Sequence, residues 1–134
     1  MTEKYTELIA AAKEAYENAY TPYSKFNVGA ALKLKDGIII KGANVENASY
    51  GLTNCAERSA LFTAYTQGYR RDDIEAIAIV ANTDRPISPC GACRQVMSEL
   101  MPAKANVILL SNKDEVAEYT IEQLLPYSFT SEDL

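Results

Sequence analysis

Two short stretches concentrate the residue types that can do chemistry: Cys55-Ala56-Glu57-Arg58 and Pro89-Cys90-Gly91-Ala92-Cys93. A Cys-x-x-Cys pair can be a redox couple, half of a structural zinc knuckle, or half of a catalytic metal site. The rest of the inventory narrows the field. The chain has three cysteines and no histidine. That excludes a Ser-His-Asp triad, a Cys-His pair, an HExxH zinc site and an imidazole general base. Any metal must be held by thiolates and carboxylates, and any proton must travel on a carboxylate, Tyr or Lys. An odd number of cysteines does not suit a disulfide framework.

Zinc favours tetrahedral sulfur ligation, and structural zinc sites fill all four positions with Cys or His. Here Cys55, Cys90 and Cys93 supply three. The fourth position is open, filled by a carboxylate, or provided by another chain, and an open position is what a catalytic zinc keeps for water. Glu57, in the first turn after Cys55, can lean over such a site and carry a proton. A first-turn Glu can equally just complement the helix dipole. Arg58 can donate to thiolate sulfur and draw off the excess negative charge of three thiolates, or it can sit on a solvated helix face.

These residues need elements that bring them together. Residues 3–19 carry Tyr5, Leu8, Ile9, Ala12, Ala15, Tyr16 and Ala19 at helical spacing, with Thr2 as N-cap. Thr21-Pro22-Tyr23-Ser24 breaks that helix. Alternation from Phe26 to Leu34, a turn at Lys35-Asp36-Gly37 and the return IIIKGANV predict a β-hairpin. Residues 56–68 predict a helix ending at a Gly, 75–82 a strand buried on both faces, and 91–101 a helix stopped by Pro102. A strand follows at 106–112, then a short hairpin through Lys113-Asp114 into VAEYTI and a last helical turn. The order α-β-β-α-β-α-β-β-α predicts an α/β fold: five strands in one mixed sheet with helices on both faces, a three-layer α/β/α sandwich. Cys55 and Cys90 are separated by one helix and one strand, the length of a crossover. Both helix starts should therefore lie at the same end of the sheet.

The bulk numbers fit that picture. A chain of 134 residues, 48% hydrophobic and 23% charged, is most simply one catalytic domain over 1–134, able to bury a core without disulfides. A net charge of −5 speaks against a nucleic-acid partner, and the Arg70-Arg71 pair reads as a solvated face. No apolar run reaches membrane-helix length, and the N-terminus is not a signal peptide. The expectation is a cytoplasmic protein with a small-molecule substrate and no membrane partner.

Taken together, the two motifs resemble the signature of the zinc nucleoside and nucleobase deaminases. NVENASYGLTNCAERSAL (44–61) and SPCGACRQVMSEL (88–100) are similar to the cytidine deaminases of the small, homotetrameric, three-cysteine type. The similarity runs from TPYSKFNVGAAL (21–32) to LLPYSFTSEDL (124–134). It implies one Zn²⁺ per chain on Cys55, Cys90 and Cys93, with Glu57 as proton shuttle. It further implies Asn44 and Glu46 on the ribose 3′-hydroxyl, Phe26 and Ala56 beside the base, and Tyr50 on the sugar side, contributed in the family by an adjoining subunit. Phe129 would reach a neighbouring subunit's base in a homotetramer with shared active sites. The implied reaction, a step of pyrimidine salvage, converts cytidine or 2′-deoxycytidine with water into the uridine product and ammonia, a zinc-activated water attacking C4. Bare residue types leave Asn44-Val45-Glu46 readable as a turn and Phe26 as core. Other deaminase substrates (blasticidin S, a nucleotide, a base in RNA), a structural Cys₃Glu zinc and a redox protein are the competing readings.

Overall fold

The computed structural model describes residues 2–134, with side chains from Lys4 onward. The chain opens with a 3₁₀ turn, Thr2–Tyr5, that runs into α1, Thr6–Glu17. The expected Thr2 cap rests on a side chain outside the described residues. A turn over 21–24 follows, then β1 (Val28–Leu34) and β2 (Ile39–Ala43). After a second 3₁₀ turn, Tyr50–Leu52, come α2 (Ala56–Thr66), β3 (Ile74–Ala81), α3 (Gly91–Leu100), β4 (Asn106–Leu110), β5 (Val116–Thr120) and α4 (Ile121–Leu124). This is the order the sequence predicts.

The five strands form one sheet in the order β2-β1-β3-β4-β5. β1 lies antiparallel to both β2 and β3, β3 pairs in parallel with β4, and β5 returns antiparallel. β2, β3 and β4 therefore run the same way, and α2 and α3 are the crossovers between them. Each helix starts where a parallel strand ends, so both N-termini lie at the carboxyl end of β2, β3 and β4, where open α/β sheets carry their sites.

Strand alternation assigns the two cores. Ala30, Leu32, Ile77, Ile79, Val107 and Leu109 face one way and pack with Ala60, Leu61, Met97 and Ile121 from α2, α3 and α4. Ala31, Ala76, Ala78, Val80, Ile108 and Leu110 face the other way and pack on Leu8 and Ala12 of α1. Each fully buried Leu or Ile contributes about 1.5–3 kcal/mol, and small residues under α1 let that helix approach closely. α2 ends in a Schellman motif: Tyr69 N–H donates to Ala64 C=O, Gly68 N–H donates to Tyr65 C=O, and Gly68 takes φ +97°.

Arg70-Arg71 is not merely solvated. Arg70 lies over the Tyr65 ring and donates to the Tyr65 and Tyr69 carbonyls, while Arg71 Nε donates to Met101 C=O. The pair ties the end of α2 to the end of α3.

Candidate active site

Cys55 and Cys90 are the N-cap residues of α2 and α3. Extended backbone at each cap turns the chain from loop into helix and sets the side chain over the helix start, where partial positive charge stabilises a thiolate. Cys93 lies one turn into α3 and is buried. Its N–H donates to Cys90 Sγ at 3.4 Å. The three Sγ atoms lie within 4.8 Å of one another. Tetrahedral zinc with bonds of about 2.3 Å holds its sulfurs roughly 3.8 Å apart, so a small contraction around an ion suits the cluster. The donor set, three thiols and no imidazole, is the chemistry a zinc site needs.

Charge at the cluster is uneven. Cys93 donating to Cys55, with the Arg58 guanidinium beside it, brings the Cys55 thiol down to about 5. Cys93 is pushed up, first by its hydrogen bond to Cys55 and then by burial and neighbouring negative charge. Arg58 Nη2 donates to Cys55 Sγ at 3.1 Å, and its own pKa is raised by that contact. Among the described residues Arg58 Nε is buried with no hydrogen-bond partner, while Nη2 holds the sulfur.

Glu57 is only 5% exposed. Burial, and after it the Cys55 charge, holds its carboxyl above the usual carboxylate range, partly opposed by a backbone hydrogen bond. A divalent ion on the thiolates would reverse the electrostatic part and leave the burial part.

A cleft of about 370 Å³ opens onto this cluster, within the range of small-molecule sites. Phe26, Asn44, Glu46, Tyr50, Cys55, Ala56, Glu57 and Cys90 line it, and no Lys or Arg among the described residues does. Cys93 and Arg58 stand behind the wall. Asn44 and Glu46 are already engaged. Asn44 Oδ1 accepts from Val28 N–H at 2.9 Å and its Nδ2 donates to Phe26 C=O at 2.8 Å. Glu46 accepts from the N–H groups of Tyr23 and Ser24 and from the Ser24 hydroxyl. Tyr50 is 87% exposed at the rim of its own chain's cleft. Phe129 does not join the cleft of its own chain. It is 58% exposed on the tail, its carbonyl accepting from Gln95 on α3.

Sequence reasoning missed Ser24, Thr53, Asn54, Ile87 and Ser88 as cleft residues. Four of them fall inside the quoted motifs (Ile87 falls just outside), but only the folded chain shows that they face inward.

The zinc-binding region model of the cytidine and deoxycytidylate deaminases matches residues 2–109. The chain belongs to this family. It is a zinc-dependent deaminase, a hydrolase, with three cysteines positioned to bind the metal. It is 60% identical over 127 residues to a cytidine deaminase of Halalkalibacterium halodurans, covering 95% of each chain. It is 51% identical to one from Sporosarcina psychrophila, covering 96% of this chain and 93% of that one. The crystal structure of cytidine deaminase from Burkholderia pseudomallei superposes with a TM-score of 0.90 at 54% identity, covering 92% of this chain and 98% of that one. The α/β fold of this family is thus the fold found here. No helix among the described residues is long and apolar enough to cross a membrane.

Proposed function

We propose that residues 1–134 form one catalytic domain that hydrolyses cytidine and 2′-deoxycytidine to uridine and 2′-deoxyuridine, releasing ammonia. The observation that carries this reading is the buried carboxylate of Glu57 beside three convergent sulfurs, on the wall of a cleft without cationic residues. Cys55, Cys90 and Cys93 hold one zinc, which when bound supplies Lewis-acid activation of a water for attack on C4 of the base.

The chain's own groups do the rest. Glu57 carries two protons in turn. It takes one from the attacking water and gives it to N3 of the ring, then takes the second from the new C4 hydroxyl and gives it to the departing amine, so that ammonia leaves and a C4 carbonyl remains. Burial supports this role, because a carboxylate whose pKa is held above its usual range is a stronger base toward the water's proton than an exposed one. Arg58 draws charge from Cys55 Sγ, which offsets the dulling effect of three anionic ligands. Backbone N–H groups at the start of α2, around Ala56, orient the base, and Phe26 gives it a flat wall. Asn44 and Glu46 retain free hydrogen-bonding positions for the sugar, and Tyr50 closes its side. Since no Lys or Arg lines the cleft, an unphosphorylated nucleoside suits it better than a nucleotide. Phe129 serves a neighbouring subunit's site in a homotetramer, and the setting is cytoplasmic pyrimidine salvage.

The test is to follow the ultraviolet absorbance of cytidine and deoxycytidine with purified protein while measuring zinc. Turnover with one zinc per chain supports the reading. One zinc per chain with no turnover on any cytosine nucleoside would make the metal structural.

A further inference from the structure

We infer that Ser24 is a positioning residue whose hydroxyl couples the Glu46 carboxylate to the Phe26 wall, so that both meet a nucleoside as one unit. This rests on the function proposed above. Three observations lead to it.

The first is connectivity. Ser24 Oγ donates to Glu46 Oε2 and at the same time accepts from Phe26 N–H at 3.0 Å. The other carboxylate oxygen, Glu46 Oε1, accepts from Tyr23 N–H at 3.0 Å and Ser24 N–H at 3.1 Å. Phe26 is thus held at its N–H by Ser24 and at its carbonyl by Asn44. Ser24, Phe26, Asn44 and Glu46 line the cleft.

The second is acceptor arithmetic. An ionised carboxylate offers about four acceptor positions. Glu46 has committed three within the 23–24 turn, which leaves about one to receive a ligand hydroxyl. Ser24 fixes where that free position points. Its hydroxyl, the first cause of the shift, also holds the Glu46 carboxyl below its ordinary range, so Glu46 stays an acceptor.

The third is backbone conformation. Lys25, between Ser24 and Phe26, has φ +62°, the left-handed region that a long side chain seldom adopts. Its N–H donates to Thr21 C=O at 3.1 Å. Such a conformation persists where surrounding bonds over-determine it; Asn82 Nδ2 donates to the Lys25 carbonyl, and the Ser24 hydroxyl, bonded to Glu46 and to the Phe26 N–H, ties the residues on either side. Losing one hydroxyl would free the carboxylate, release the Phe26 N–H and relax the bend together.

Ser24→Ala is the direct test. Ser24 is exposed, so its replacement leaves both cores untouched. KM for cytidine should rise about tenfold, as expected for losing a hydrogen bond to a charged group. kcat should stay within about twofold and zinc content should not change. Ser24→Thr, which keeps the hydroxyl, should restore KM. In combination with Glu46→Gln the two effects on KM should fall well short of multiplying. Unchanged KM in Ser24→Ala, or fully multiplicative effects, overturns the inference. Amide hydrogen exchange at Tyr23, Ser24 and Phe26 gives a second readout that needs no activity, and Ser24→Ala should speed it. If the wild type turns over no cytosine nucleoside, the proposed function fails. Exchange unchanged by the substitution then overturns the Ser24 coupling separately.

Discussion

Glu57 shares its first helical turn with a metal-binding cysteine and is almost wholly removed from water. A buried carboxylate costs free energy unless it is paired or hydrogen-bonded, so its retention here points to a use. Glu57→Gln preserves shape and hydrogen bonding but cannot carry a proton. It should bind zinc normally and lose about 10²–10⁴-fold in kcat, measured by steady-state kinetics beside metal analysis; full turnover would exclude Glu57 as the shuttle. The sulfurs make a second forecast. Because Cys93 donates to Cys55, the Cys55 thiol is brought down and the Cys93 thiol pushed up, and the pair keeps a proton between them. Zinc uptake by the metal-free chain must therefore expel at least that proton, and affinity should climb with pH. Calorimetry in buffers of different ionisation enthalpy reads that release directly. Enthalpies that do not vary with the buffer would contradict it.

At the scale of elements, the placement of α2 depends on a residue without a side chain. A Cβ on Gly42 of β2 would lie 2.5 Å from Ala56 C=O and 2.5 Å from Ala60 N–H, both helix backbone that cannot swing aside. Gly42→Ala should therefore displace the turn bearing Cys55 and Glu57. About 1–3 kcal/mol of stability should be lost, as for overpacking elsewhere, together with zinc affinity. Thermal melts and a chelator competition would show both; loss of stability with unchanged affinity would mean that the site does not depend on this contact. The element order was legible because periodicity of two and of 3.6 is written locally, and the spacing of Cys55 and Cys90 implied a crossover. The Gly42 approach was not legible, since it depends on which helix lands on which strand. Nor were the prior commitments of Asn44 and Glu46, whose partners Phe26, Val28, Tyr23 and Ser24 lie on a segment 16 to 23 residues away. Residue type announced their polarity, and only the fold shows how much of it is spent internally.

For the whole molecule, all the proposed chemistry gathers on the face covered by α2 and α3, at one end of the sheet, while α1 and Tyr5 of the turn before it cover the other face. Tyr50, Leu52, Tyr127 and Phe129 remain largely exposed. If neighbouring chains share sites as proposed, light scattering should give four times the 14.7 kDa chain mass. Phe129→Ala should raise KM. Mixing it with Glu57→Gln protein should yield activity that depends on subunit composition; a fully active monomer would refute the shared site. At this scale the sequence carried the family pattern, whereas contacts between chains lie beyond any periodicity within one.

Cys90 Sγ caps α3 by accepting the Cys93 N–H, so the sulfur that starts the helix is one of those proposed to hold the ion. Zinc supply and chain lifetime thereby become linked. A starved chain keeps that bond but loses the tie that an ion would make from Cys90 and Cys93 to Cys55 at the start of α2, and a loosened helix start beside an exposed loop is where proteases cut. Limited proteolysis should nick the 84–93 region faster after chelation, and equal rates would uncouple the two.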